Sequence, residues 1–280
     1  MAEGRVVVLG GRGMLGSDVT YACIDAGCDA ESLDLPEFDI TREGDLAEAV
    51  GSADLLVNCA AYTNVDKAES EYDIAYQVNA AAVGQLGKLA QRSKKWLLHV
   101  STDFVFDGES PRPYRETDEA NPINVYGRTK LAGEQLLAQS GCAHCLLRIQ
   151  WSYGRAGDNF IKKVVSRAQQ DKMLKVVDDQ IGAPTATTRI ASVICKLLSK
   201  KPVGCFHYAA AGRASRFEVA RFVLNKLGIH AELSPCETAD FETPARRPLN
   251  SLFDCGKIQG VLDEPIENWK IPLEQFLEQL

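Results

Sequence analysis

A doubly wound parallel α/β sheet carrying a smaller C-terminal α/β lobe is the fold this sequence predicts, and three observations predict it. The chain opens on a β-branched apolar run, Arg5-Val6-Val7-Val8-Leu9, which leads into the glycine-rich turn Gly10-Gly11-Arg12-Gly13-Met14-Leu15-Gly16 and then into helical sequence. Apolar runs recur at Leu55-Leu56-Val57-Asn58, Trp96-Leu97-Leu98-His99-Val100 and Cys145-Leu146-Leu147-Arg148-Ile149, alternating with helical stretches around 74–93 and 123–139. Near-continuous apolar strands separated by helices indicate a parallel sheet covered on both faces. A chain of 280 residues also exceeds one small domain, so a nucleotide-binding unit plus a second lobe is the natural count.

Each element then acquires a reason. Strand, glycine turn and helix in that order make a dinucleotide site, because a helix amino terminus and exposed backbone N–H groups bind a pyrophosphate. Gly10, Gly13 and Gly16 follow Gly-x-x-Gly-x-x-Gly spacing rather than the Gly-x-Gly-x-x-Gly of ordinary dehydrogenases, and the expected unit is Rossmann-like. Ligands of such sheets bind at the carboxyl ends of the strands. Polar residues stand just past those ends: Asp34 after the second strand, Thr63 after the third, Ser101-Thr102-Asp103 after the fourth and Trp151 after the fifth. Together they ring one crevice.

Tyr126 and Lys130 are the residues most suggestive of chemistry. Four apart on a helix, a phenol and an ammonium share one face, about 6 Å apart along the axis. A nearby positive charge lowers a phenol's pKa from about 10, as a proton donor working near neutrality requires. A Tyr and a Lys at this spacing also occur as a half-buried aromatic beside a solvated charge, so the weight comes from the pieces around them.

Composition excludes several classes. Net charge is −7, with no basic run, which argues against nucleic acid as a partner. No apolar stretch is long enough to span a membrane, and the start Met-Ala-Glu-Gly-Arg lacks a signal peptide's apolar core, so the expected location is cytoplasmic. Nine cysteines, an odd number spread along the chain, do not form a disulfide framework. Cys142-Ala143-His144-Cys145 lacks the second ligand pair a structural zinc needs, and no metal is expected. His99 and His207 lie in strand-like runs and read as core residues with satisfied hydrogen bonds.

With these pieces assembled, the chain resembles the extended short-chain dehydrogenase/reductases, and within them the dTDP-4-dehydrorhamnose reductase family. The resemblance rests on the Gly10 to Gly16 loop, Thr63 to Glu69, Val78-Asn79, Ser101 to Gly108, Asn124 to Gly133, Asp178-Asp179-Gln180-Ile181-Gly182-Ala183-Pro184-Thr185 and Arg247 to Ser251, in the family's order. The Asp178 to Thr185 segment discriminates most, because it belongs to this reductase and not to the superfamily at large.

The resemblance implies NADPH- or NADH-dependent reduction of the C4 keto group of dTDP-4-dehydro-L-rhamnose, feeding dTDP-rhamnose and so cell-surface polysaccharide. Tyr126 would donate the proton, Lys130 would hold the nicotinamide ribose and lower the tyrosine's pKa, and Thr102 would hydrogen-bond the same oxygen. Gly10, Gly13, Met14, Leu15 and Gly16 would cradle the pyrophosphate; Asp39 and Ile40 would border the adenine. Ala60, Ala61, Tyr62, Thr63, Asn79 and Val100 would complete the cofactor side. Thr102, Asp103, Trp151, Asn159, Phe160 and Arg247 would contact the sugar nucleotide, Arg247 through its diphosphate oxygens. Asp34 favours NAD through the ribose hydroxyls, whereas Arg12 suits a 2′-phosphate, and the resemblance permits either cofactor. A homodimer is compatible with the resemblance: Asp18 stands where a metal-bridging carboxylate of some family members would fall, without a full ligand set. The expected division is a cofactor domain of 1–149 with 180–212 returning, and a sugar-nucleotide lobe of 150–179 and 213–280. Phe104 fills the place of the family's frequent tyrosine, and also of the acid a dehydratase requires. Other readings are another sugar-nucleotide reductase or epimerase, or a non-catalytic NADP-binding regulatory subunit resembling that of methionine adenosyltransferase.

Overall fold

The computed structural model describes residues 4–171 and 173–280. The first half supplies β1 (Arg5–Leu9), α1 (Met14–Asp25), β2 (Asp29–Leu33), α2 (Glu43–Ser52) and β3 (Leu55–Asn58). Then come α3 (Val65–Ala68), α4 (Tyr72–Tyr76), a wide helical turn at Gln77–Ala81, α5 (Ala82–Arg92), β4 (Trp96–Thr102), α6 (Val125–Gln139) and β5 (His144–Ile149). The second half adds β6 (Ser152–Tyr153), α7 (Phe160–Gln170), β7 (Met173–Val177), β8 (Ile181–Gly182), β9 (Thr185–Ala186) and α8 (Thr187–Lys200). β10 (Gly204–Tyr208), β11 (Ala214–Ser215), α9 (Arg216–Leu227), β12 (Glu232–Cys236), α10 (Gly256–Leu262) and α11 (Lys270–Leu277) complete it.

Six strands form one parallel sheet in the order β10-β5-β4-β3-β1-β2. Alternate side chains of a strand face opposite ways, and β1 shows the consequence: Val6 and Val8 enter the core beneath α1 and α8, Val7 and Leu9 the core beneath α2 and α5. That two-sided burial is why the strands read as continuous apolar runs rather than alternating ones. Strand addition reverses direction between β1 and β3, and a crevice opens at such a reversal, at the strands' carboxyl ends.

The smaller lobe packs α7, α9 and α11 around Tyr153, Val223, Trp269 and Leu273, with β7 and β12 paired in parallel. β8 pairs antiparallel with β11 of the lobe, and the Ile181 N–H donates to the Leu249 carbonyl at 2.7 Å. These bonds tie residues 181–182 to β11 and to Leu249, and α8 then packs in the core of the main sheet. Among the described residues no helix is long and apolar enough to cross a membrane.

A buried ion pair joins the central elements. Arg148 of β5 meets Glu134 of α6 through Nη2–Oε2 at 2.6 Å and Nε–Oε1 at 3.0 Å, while Ser101 Oγ of β4 donates to Glu134 Oε1 at 2.5 Å. It fixes the rotation of α6, and hence where Tyr126 and Lys130 point.

Candidate active site

A cavity of about 800 Å³ runs along the carboxyl ends of β1 to β5. At one end lies the glycine loop. Gly10 has φ +73°, and a Cβ there would sit 2.6 Å from the Ala60 nitrogen; at Gly16 it would collide with the Gly10 carbonyl. The two glycines therefore let β1, β3 and α1 converge. Gly13 begins α1 without any side-chain cap, so the orphan N–H groups of the first helical turn are left for a ligand. This cradle fits a dinucleotide pyrophosphate. Gly10, Gly13, Met14, Leu15 and Gly16 all line it.

The adenine end is bordered by Asp34, Asp39 and Ile40. Asp34 is engaged with backbone, its Oδ2 accepting the Arg12 N–H and its Oδ1 the Leu35 N–H, both at 2.8 Å. Arg12 turns away from the cavity: its Nη1 pairs with Glu37 Oε2 at 2.8 Å and donates to the Leu35 carbonyl at 2.9 Å. Ala60, Ala61, Tyr62, Thr63 and Val100 line the facing wall. Asn79 stands behind that wall, because its amide is consumed there. It accepts the Tyr62 N–H at 2.8 Å and donates to the Tyr62 carbonyl and to Thr129 Oγ1, each at 3.1 Å.

Tyr126 and Lys130 owe their places to the start of α6. Asn124 caps it, its side chain accepting the Gly127 N–H at 2.7 Å. Gly127 lies so close to the Phe104 carbonyl that any Cβ would overlap it. The helix is thereby pressed against the turn after β4, bringing Tyr126 to Thr102 and to the edge of the Phe104 ring, at 5.5 Å between centroids. Burial pushes the phenol up to about 12, with the Thr102 hydroxyl pulling it back and Asp103 pushing it further up. Burial also lowers Lys130 to about 8, against the opposing pull of Glu134 and Cys59. Lys130 Nζ donates to the Val100 carbonyl at 2.8 Å and lies 3.3 Å from His99 Nε2. The expectation that Lys130 depresses the tyrosine's pKa is therefore corrected for the cofactor-free chain. The amine faces β4, and desolvation dominates at the phenol. His99 is a buried core residue, and it is the floor on which Lys130 rests.

Beyond Tyr126 lies the second half of the crevice. Asp103 is buried, its Oδ2 accepting from Ser251 Oγ at 2.5 Å and its Oδ1 from Thr102 Oγ1 at 3.2 Å. Desolvation raises its carboxyl to about 6, opposed by the Ser251 bond and by Arg216. Trp151 has φ +44° and packs on Gly182, where a Cβ would sit 2.5 Å from the indole. The Arg216 guanidinium stacks over the Trp151 ring, 3.5 Å from its centroid.

Three expected substrate contacts lie outside the cavity lining. Asn159 is spent as the cap of α7, accepting the Lys162 N–H at 3.1 Å and donating to the Gly154 carbonyl at 2.9 Å. Phe160 packs into the lobe core, 4.9 Å below Arg216. Arg247 is bound by both nitrogens to Asp66 at 2.7 Å, fastening the C-terminal segment to α3. In their place the structure brings in Arg216 and Gln150. Gln150 Nε2 is a buried donor with no hydrogen-bond partner among the described residues. The Ser215-x-x-Glu218 capping box marked the start of α9 and so Arg216's position, but nothing in the sequence said which way it points.

Residues 4–280 match the family model described as "RmlD substrate binding domain". A dTDP-4-dehydrorhamnose reductase of Sinorhizobium fredii is 38% identical over 86% of this chain and 87% of its own length. The chain belongs to the dTDP-4-dehydrorhamnose reductase family. A member from Escherichia coli is 35% identical over 99% of this chain and 98% of its own. The crystal structure of the Bacillus anthracis member in complex with NADP superposes with a TM-score of 0.94 at 31% identity, covering 99% of both chains. The family is one of oxidoreductases within the extended short-chain dehydrogenase/reductases, and its fold is the one described above.

Proposed function

We propose that this chain reduces the C4 keto group of dTDP-4-dehydro-L-rhamnose to dTDP-L-rhamnose with NADPH or NADH, in the cytoplasm that its dispersed cysteines favour. The observation that carries this reading is the meeting of the Tyr126 phenol with the Thr102 hydroxyl where the dinucleotide half of the crevice joins the half formed by Asp103, Trp151 and Arg216. We assign the sheet and the segments wound on it to the cofactor, and residues 150–179 and 213–280, extended by β8, to the sugar nucleotide.

The bound nicotinamide supplies hydride to C4. The chain supplies the rest. With its pKa near 12, Tyr126 is a neutral phenol at pH 7 and holds the proton that the developing C4 alkoxide takes. Thr102 donates a second hydrogen bond to the same oxygen by turning its hydroxyl proton away from Asp103 Oδ1. Donors held beside the developing oxyanion stabilise it, a contribution on the order of several kcal/mol. Lys130, at the floor beside Val100 and His99, holds the nicotinamide ribose. The half-buried Phe104 and Trp151 side chains line the crevice and displace water from it. A dehydratase would need an acid at position 104, and the edge-on Phe104 ring offers none.

Decay of reduced-nicotinamide absorbance with dTDP-4-dehydro-L-rhamnose, run with NADPH and with NADH, tests the reading. Stoichiometric oxidation of either cofactor is expected. No oxidation of either by correctly folded protein would overturn it.

A further inference from the structure

We infer that Arg216 is the anchor for the diphosphate of the nucleotide sugar, and that it discriminates nucleoside diphosphates from nucleosides. This deepens the substrate reading above and rests on it. Arg216 opens α9, and its backbone position is over-determined. β11 pairs with β8, Ser215 caps the helix in a reciprocal box with Glu218, and Ser215 Oγ also donates to Asp178. The side chain is half-buried, laid flat on Trp151 and near Phe160, and it lines the crevice beside Thr102 and Asp103.

Its charge is unspent. No hydrogen bond or ion pair engages the guanidinium among the described residues, and the charged groups it feels are Asp103 and Arg247. Both of those are already committed, Asp103 to Ser251 and Thr102, Arg247 to Asp66. Burial makes the unpaired cation costly, lowering its pKa to about 10. Its planar fork keeps its N–H donors in the ring plane while its face rests on Trp151, and such a fork matches two oxygens of a phosphate. Arg247, by contrast, can reach a phosphate only by releasing a two-point ion pair. Of Arg216 and Arg247, Arg216 is the one without an ion pair, and a diphosphate is the part of a nucleotide sugar with matching charge.

The test compares binding of dTDP and thymidine, and of UDP and uridine, by calorimetry to the NADP-loaded protein. For the unaltered chain each diphosphate should bind at least about tenfold more tightly than its nucleoside, the scale of a charge-assisted bond. In Arg216→Met that difference should fall by about tenfold or more with nucleoside affinity and NADPH binding unchanged, and Arg216→Lys should restore part of it. Equal binding of dTDP and thymidine by the unaltered protein would overturn the inference without any variant. So would an Arg216→Met protein that keeps its preference for diphosphates, or one that loses diphosphate and nucleoside equally. The UDP arm and the absorbance assay separate this from the substrate reading: no reductase turnover with diphosphate discrimination intact would sink the latter alone.

Discussion

At the scale of single residues, the crevice separates groups by what they already hold. Tyr126 has a proton to give and one hydroxyl beside it, so Tyr126→Phe should lower kcat by at least about a hundredfold, the usual scale for a lost general acid, while the NADPH dissociation constant stays near that of the unaltered chain. Near-normal turnover by the purified variant would remove Tyr126 from the mechanism. Lys130 gives the pH dependence. Its pKa is lowered to about 8, so the ammonium is present below that value and lost above it. The log of kcat/KM against pH should therefore fall on the alkaline side from about 8, and a profile flat to pH 9.5 would show that the ammonium is not needed. Arg12 and Glu37 bear on cofactor choice. The pair is exposed and screened by solvent, so Glu37→Gln should release Arg12 and tighten NADPH by up to about fivefold, leaving NADH unchanged. Arg12→Ala should weaken NADPH by about tenfold and NADH hardly at all. Dissociation constants for both cofactors in both variants decide whether Arg12 meets a 2′-phosphate.

The elements show why the family's motifs are where they are. The Asp178 to Thr185 segment, the most discriminating stretch of sequence, contributes chiefly support. Asp178 takes the Ser215 hydroxyl, Asp179 takes the Thr238 N–H at 2.8 Å and its hydroxyl at 2.7 Å, and Gly182 makes room for the Trp151 indole. It is a brace between α9 and the end of β5. Asp178→Ala should consequently raise KM for the nucleotide sugar while leaving the NADPH dissociation constant alone; an equal effect on both would mean the brace serves the whole crevice. The glycine loop works the other way. At Gly16 even a methyl group meets the Gly10 carbonyl, which costs about 1–3 kcal/mol in strain. Gly16→Ala should weaken both cofactors together, and unaltered cofactor affinity would mean that the loop tolerates displacement. Loop, strands and α6 were legible because glycine spacing and two-sided apolar burial are local signals. The wide turn at Gln77–Ala81 and the pairing of β8 with β11 were not, since both depend on partners distant in sequence. The same holds for side-chain direction. Arg12, Asn159 and Arg247 have the chemistry of ligands, yet Glu37, Gly154 and Asp66 claim them, and no spacing within one segment reports such a claim.

Across the whole molecule, the sheet and α6 are joined by charge as well as by apolar packing. Glu134 and Arg148 are 5% and 8% exposed, so neither can fall back on water if its partner is lost. Removing one member of a buried pair typically costs about 3–5 kcal/mol, and Glu134→Gln should lower Tm by roughly 10 °C, with α6 and therefore Tyr126 displaced. A Tm unchanged within error would show the pair to be replaceable. The net reaction is also a property of the whole chain. An epimerase or dehydratase on this fold recycles tightly held NAD+, whereas a reductase must admit and release its cofactor at every turnover. Here the dinucleotide half of the crevice opens to solvent past Asp34 and Leu35, the latter 60% exposed, and the acid beside the proton donor, Asp103, is bound by Ser251 and Thr102. One reduced cofactor should therefore be oxidised per sugar, and the product mass should exceed the substrate's by two hydrogens. A product lighter by one water, or an isomer of unchanged mass with no cofactor consumed, would overturn the reductase reading while leaving the fold and the Tyr126 geometry as they stand.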